Sequence, residues 1–518
     1  MKEIKFYFPK EGLVKPLLLS IGIWISAVLA TAQIPKHDYI WLMSDYTQNI
    51  MVMDFNKTFD SGYLRIDSVK KELRFRYTNS MISDFSGRLT AYTNGCFINN
   101  QKYEIIENGD QINPGQIHRE NCTHPDYNRY PVGEQGAVFI PDPGDSMRYY
   151  LLHASGVIQD FPELKFWIDA IRYSIIDLRY NNGLGKVISK NVPIIKDSTT
   201  LAAMAVVKHS DNSSYWIIVK KFVSNVYDRF LINQIGINYI GSQTIGDTTN
   251  SDFGLGGQTM FSPNDGKKMM IYSPYLDGIF LFDFDRNSGL LSNYKRIHVV
   301  DSMLLDGGAC FSPSGRFLYV GTYWDLYQYD LEANDIKASE VHIAHWNGFR
   351  YQNIFSHMIG RMQLGPDCKI YINCRNSMKY LHVINKPDEK GLACDFRQNQ
   401  LELPQTHSGT IPYFPNYRLG IAPVCDPNLA VSVYEIQIHR YLAVYPNPAS
   451  DEVSLDAGDQ GIKSVQILDL LGQLVYHQKI NSTPSIKLKL GNFNPGTYIA
   501  VCILEDGSIL RSKFIIRK

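Results

Sequence analysis

The sequence predicts an all-β chain: a β-propeller of about seven blades followed by a small C-terminal β-sandwich. Three observations predict it. A turn phrase recurs, with "FSPNDGKKMMIY" beginning at Phe261, "FSPSGRFLYV" at Phe311 and "LGPDCKIYI" at Leu364. Short apolar–polar alternation follows each copy, and helical periodicity over ten or more residues is hard to find after the N-terminal segment. Aromatic residues make up 12% of the chain, with 33 Tyr and 25 Phe, which suits pleated, half-buried surfaces better than helices.

At the N-terminus, Lys10 and Lys15 precede an apolar run from Leu17 to Leu29, then Ala30-Thr31-Ala32. A basic stretch, a short apolar segment and small residues at the minus-three and minus-one positions describe a secretory signal over 1–32, cleaved after Ala32. The run is shorter than the roughly 20 residues that span a bilayer. No later stretch is apolar enough to do so, so no transmembrane span is expected after signal removal. Lys and Arg total 51, as do Asp and Glu. That balance argues against a nucleic-acid partner, which needs a basic footprint to displace phosphate counterions.

The propeller is expected over 33–430. Pro263, Pro313 and Pro366 are 50 and 53 residues apart, and comparable turns fall near Ser86, Pro141 and Asp211. A period of this size marks stacked supersecondary units. Each unit has one grammar: a strand, a Ser-Pro-Asn/Ser-Gly corner, an alternating strand such as "RFLYVGT", a break, and a further strand. Pro pre-sets φ for the corner while Asn, Asp and Gly accept the conformations that close it. Units are read near 79–98, 136–180, 201–240, 257–298, 307–340 and 360–400. A seventh is expected from joining "YIWLMSDYTQNIMVMDFN" at the start to "SGTIPYFPNYRLGI" at the end, which would close the ring and hide its sheet edges.

The repeats resemble WD-repeat-like and lactonase-like propellers. The residues that carry the resemblance are Ser262-Pro263-Asn264-Asp265-Gly266 with Phe282-Asp283-Phe284-Asp285, and Ser312-Pro313-Ser314-Gly315 with Tyr329-Asp330. It covers about 380 residues and implies architecture only. Trp324-Asp325 sits mid-blade and is not the dipeptide that closes a WD strand.

A linker is expected at 431–440 and a second unit at 441–518, where short alternating strands are separated by Gly, Asn and Pro turns. The tail resembles the C-terminal sorting domain of the type IX secretion system of Bacteroidetes-type Gram-negative bacteria. The matching residues are Tyr445-Pro446-Asn447-Pro448-Ala449, then Asp469, Leu471, Gly472 and Val475, then Pro495-Gly496-Thr497-Tyr498, and the closing Lys513-Phe514-Ile515-Ile516-Arg517-Lys518. The resemblance implies an Ig-like sandwich, the type IX secretion machinery as partner, and a destination outside the cell or on the outer-membrane surface, usually with removal of the tail.

Eight cysteines allow 105 full pairings. No C-x-x-C spacing occurs, so a zinc ribbon, redox motif or attached haem is unsupported. Cys96 and Cys122 flank a polar insertion that a disulfide would staple. "QIHRENCTHPDY" gathers His118, Cys122, His124 and Asp126. Imidazole, thiolate and carboxylate could bind a transition metal, but the paired-ligand pattern of a structural site is missing, so a hydrophilic loop with a bridged cysteine is preferred. His342, His345 and His357 lie between two repeats, at the loop face or the channel. "DFDRNSG" at 283–289 lacks the spaced ligands of a calcium loop, "GLGG" at 254–257 lacks a strand-to-helix context, and no G-x-S-x-G occurs. Catalytic residues therefore stay unassigned and no cofactor is expected. The leading expectation is an exported binding or scaffold propeller for a protein, peptide or glycan ligand. The alternative is an extracellular hydrolase or lactonase acting on glycans or lactones, which requires acidic and histidine side chains converging at one channel mouth.

Overall fold

The computed structural model describes residues 34–517, apart from 46–48, 58–63, 72, 125–127, 132–134, 160–164, 249–256, 274–277, 300–306, 427–441, 458–460, 471 and 506–508. The expected signal, the expected linker, Asp126 and Leu471 lie outside the described residues.

The described chain is nearly all β, with seven antiparallel units in chain order. Blade 1 holds Ile40–Met43, Asn49–Asp54 and Arg65–Lys70, and blade 2 holds Ser80–Ser83, Leu89–Thr93 and Ile98–Asn100. Blade 3 runs through Ala137–Pro141, Arg148–Gln159, Lys165–Asp177 and Lys186–Ile195. Blade 4 runs through Thr199–Lys208, Tyr215–Lys221, Val226–Asn233 and Gly236–Thr244, and it joins blade 3 at Thr199↔Ile168. Blade 5 comprises Gln258–Phe261, Lys268–Ser273, Gly278–Asp285 and Leu290–Ile297; blade 6 comprises Gly307–Phe311, Phe317–Thr322, Asp325–Asp330 and Val341–His345. Blade 7 has Met362–Leu364, Ile370–Ile372, Met378–Ile384 and Phe396–His407. First strands touch from blade 1 to 2, 2 to 3, and successively from 4 to 7, while Phe396–His407 meets blade 1. The ring is a β-propeller.

The corner phrase works through a side-chain oxygen at its first position. The Ser312 hydroxyl accepts from the Phe317 amide at 3.2 Å, and the Ser312 amide donates to the Phe317 carbonyl at 2.7 Å. Ser262 repeats both bonds with Lys268 at 3.1 and 2.8 Å, and Asp84 does so with Arg88 at 3.0 and 2.7 Å. Gly315 closes its corner at φ +74°, where a Cβ would lie 2.3 Å from Asn264 Oδ1 of the neighbouring corner. The alternation read in "RFLYVGT" is not an exposure pattern. Phe317–Thr322 is buried throughout, because adjacent blades cover both faces of an inner strand. Solvent reaches outer strands such as Leu290–Ile297, whose pattern is mostly exposed.

The expected seventh-unit strand from 408–421 is corrected. Those residues form no strand; they run through the middle of the ring. The Phe414 amide donates to Gln363 Oε1 at 3.3 Å, Tyr413 OH accepts from the Val206 amide at 3.3 Å, and Tyr417 OH donates to the Phe139 carbonyl at 2.7 Å. Pro412 and Pro415 have no N–H to give a ladder, and three large rings fill the channel instead.

Residues 442–517 have their own core, including Val453, Leu455, Val465, Ile467, Cys502 and Phe514. It lies between a sheet of Ala443–Tyr445, Glu452–Asp456 and Ser485–Lys489 and a second sheet of Ile462–Asp469, Leu474–Thr483, Gly496–Leu504 and Ile509–Ile516. Disulfides join Cys96 to Cys122 and Cys368 to Cys425, with Cα–Cα distances of 5.4 and 5.3 Å.

Candidate functional site

The corners of blades 2 and 3, "DFSGR" at 84–88 and "DPGDSM" at 142–147, face each other across a cleft of about 1010 Å³. Each corner turns on its first aspartate. Asp84 Oδ1 accepts from the Ser86 amide and hydroxyl at 2.9 and 2.7 Å, and Arg88 Nε reaches Oδ2 at 2.9 Å. Asp142 Oδ1 accepts from the Gly144 amide at 2.8 Å, and Arg148 Nε lies 3.1 Å from both Asp142 Oδ2 and Asp145 Oδ2. Arg179 extends this network to Asp145 and Asp177 at 2.8 and 2.6 Å.

His37 and Tyr149 form the floor. His37 Nδ1 meets the Ser83 carbonyl at 2.7 Å, and its ring stands edge-on to Phe85, Tyr149 and Tyr417. Phe85 and Met147 keep 45% and 42% of their surface exposed, so the rim carries an aromatic face beside carboxylates and a guanidinium. Burial raises the Asp142 pKa above the usual carboxylate range, outweighing the Gly144 amide and Arg148. At Asp84 burial acts in the same direction, but the Ser86 and Arg88 hydrogen bonds overcome it and hold the pKa low. Burial lowers His37 and pushes Tyr149 up to about 12, so both stay neutral near pH 7. The two carboxylates of one cleft are therefore shifted in opposite directions by their surroundings.

In the channel, the described charged residues nearest the corner face are already paired. Asp38 and Arg418, 6% and 4% exposed, are joined at 2.6 and 2.8 Å, so carboxylate and guanidinium satisfy each other. A void of about 50 Å³ lies beside them against Met260, Tyr413 and Leu419.

Of the three histidines between the repeats, two meet on one carboxylate and the third lies apart. His342 Nε2 and His345 Nδ1 both meet Asp325 Oδ1, at 2.7 and 2.8 Å. Three residues apart, they would face opposite sides of a regular strand. A register shift between the Leu326↔Ala344 and Tyr327↔His342 pairs returns them to one side. In sequence, Trp324-Asp325 reads only as a WD dipeptide set aside for its mid-blade position, with no tie to the histidines; Trp324 packs on Trp346 at 4.6 Å. His357 is buried elsewhere, stacked on His382 at 3.6 Å and bonded to Asn399.

His118 is buried in the helical turn His118–Cys122, and Cys122 is spent in its disulfide, so no thiolate remains to accompany His118 and His124. Among the described residues no three His, Cys, Asp or Glu side chains are placed to hold a metal ion.

The tail motif residues knit the sandwich. Asn447 Oδ1 accepts from the Ile515 amide at 2.9 Å, fastening the stretch that carries Tyr445, Pro446 and Pro448 to the last strand. Gly472, at φ +80°, turns the chain between Ile462–Asp469 and Leu474–Thr483. Pro495 and Gly496 lead into the strand from which Tyr498 packs on Phe493 and Phe514.

Residues 443–517 match the secretion system C-terminal sorting domain family. The tail is a type IX sorting domain. It marks the chain for the type IX machinery and for secretion or attachment at the cell surface. Among the described residues no helix is long and apolar enough to cross a membrane. A 75-residue stretch is 35% identical to the ulvan lyase NLR42 of Nonlabens ulvanivorans, covering 14% of each chain. The chain thus spans about one seventh of that curated relative's length. Among solved structures, a putative 6-phosphogluconolactonase from Bacteroides fragilis is 10% identical over 71% of this chain and 96% of its own, with a TM-score of 0.42. The Dos1 propeller is 12% identical over 66% and 74%, with a TM-score of 0.36. At these values the likenesses say nothing about activity.

Proposed function

We propose that the propeller is an exported binding module whose ligand, a glycan, sits in the cleft between blades 2 and 3. The observation that carries the reading is the rim: an exposed Phe85 ring beside the half-buried Asp84 carboxylate and the exposed Arg88 guanidinium. An aromatic face takes the C–H side of a sugar ring while carboxylate and guanidinium exchange hydrogen bonds with its hydroxyls. The chain without its tail, titrated calorimetrically with neutral, acidic and amino-sugar oligosaccharides, should bind at least one class saturably. Phe85→Ala should weaken that binding roughly tenfold, the value of one aromatic contact of about 1.4 kcal/mol. Silence across all three classes would overturn the reading.

A second reading rests on the opposite shifts of the two aspartates. Glycan hydrolysis in the same cleft would use Asp142, whose pKa burial raises, as acid and Asp84, whose pKa is lowered, as base. It predicts reducing-end release from a bound oligosaccharide, abolished in Asp142→Asn with binding retained. Binding without release in the unaltered chain would exclude it.

A further inference from the structure

The end of the propeller is held by contacts that its covalent path does not require. After threading the channel, the chain is tied by Arg418 to Asp38, and Arg418 Nε donates to the Val424 carbonyl at 2.9 Å. Tyr39 OH donates to Asp426 at 2.8 Å, and the Asp426 amide donates to the Pro366 carbonyl at 2.8 Å. Cys425 is disulfide-bonded to Cys368 in the corner of blade 7, across 57 residues. One segment therefore fastens both ends of the ring, and the buried Tyr417 of that segment packs beneath the cleft floor through its 5.4 Å contact with His37.

We propose that residues 408–426 are a redox-set latch: the Cys368–Cys425 disulfide keeps the segment in the channel, and reduction releases it, loosens the blade 7–blade 1 seam and dismantles the floor of the cleft. The last consequence rests on the ligand site proposed above; the latch itself does not. In closing, the two thiols give two protons and two electrons to a disulfide donor, R–S–S–R, which leaves as two R–SH. In opening, a dithiol reductant supplies them and is itself oxidised to a disulfide. Tethering the roughly 20 residues that open removes enough freedom from the open segment to shift the opening equilibrium by about a few hundredfold. Opening is cooperative because a half-withdrawn segment would leave the Arg418 guanidinium or the Asp38 carboxylate buried without its counter-ion.

Hydrogen exchange followed by mass spectrometry tests this on the full chain. In Cys368→Ser/Cys425→Ser, peptides covering 408–426 should exchange at least a hundredfold faster, while those of the blade 5 strands Lys268–Ser273 and Gly278–Asp285 keep their rates. Should that variant fail to fold, the folded wild-type chain is titrated with a phosphine reductant, and alkylation of Cys368 and Cys425 is followed beside exchange. Unchanged exchange in 408–426 once that disulfide is broken would overturn the latch. Faster exchange with oligosaccharide binding lost supports the whole proposal. Faster exchange with binding unaltered supports the latch and removes the cleft from it.

Discussion

Lowering the pH should destabilise the propeller well before its carboxylates are protonated. His153, His382 and His407 are fully buried, and burial, the largest cause in each, pushes their pKa values down to about 3, 3 and 4. His357, stacked on His382, is lowered in the same sense. Each imidazole is thus neutral in the folded chain and regains an ordinary pKa near 6.5 on unfolding. Their contribution is complete above pH 6.5 and declines as pH falls below it, because the unfolded chain then binds protons the folded chain refuses. The slope is about 1.4 kcal/mol per pH unit per group, so at pH 5 each costs ~2 kcal/mol and the three together ~6 kcal/mol. That is comparable to the whole stability of an ordinary domain. With an unfolding entropy of about 2.1 cal/mol/K per residue over roughly 390 residues, the melting temperature drops by about 7 °C. Circular dichroism melts from pH 8 to pH 4.5 measure it, and His382→Gln should remove about a third of the slope. A melting temperature level between pH 7.5 and pH 5, falling only below pH 4, would refute the reasoning.

Two further outcomes follow from local geometry. Gly315→Ala forces a side chain into φ +74° and against Asn264; it should cost roughly 1–2 kcal/mol in urea unfolding, part of which Asn264→Ala restores. An unchanged midpoint would show that the corner relaxes freely. Removing residues 427–518 should leave the melting temperature of the propeller within about 1 °C, since the two cores share no residue. Aggregation or a lower melting temperature in the shortened chain would mean that the propeller needs its tail.

How far the fold was legible depends on the reach of each interaction. The corners at Ser262 and Ser312 close through a hydroxyl and an amide five or six residues apart, so residue type and spacing declare them in advance. The tail is legible for the same reason: its prolines, Gly472 and Tyr498 each shape a turn or strand end nearby. The Asp325 cluster was hidden because a one-residue register shift, not the order of residues, puts His342 and His345 on the same carboxylate. The cleft was hidden because Asp84 and Asp142 belong to different blades, each aspartate serving its own corner.

By itself, the sequence determined that this chain is a ring of repeated β units behind an export tail, because turn chemistry and strand period are satisfied within a few residues. Only the tertiary structure decided that "SGTIPYFPNYRLGI" threads the channel rather than completing a blade. It also decided that His37 and Tyr417 meet under the cleft. Those outcomes turn on which distant surfaces exclude water together, and alternation along a strand is the same whether one face or both are covered.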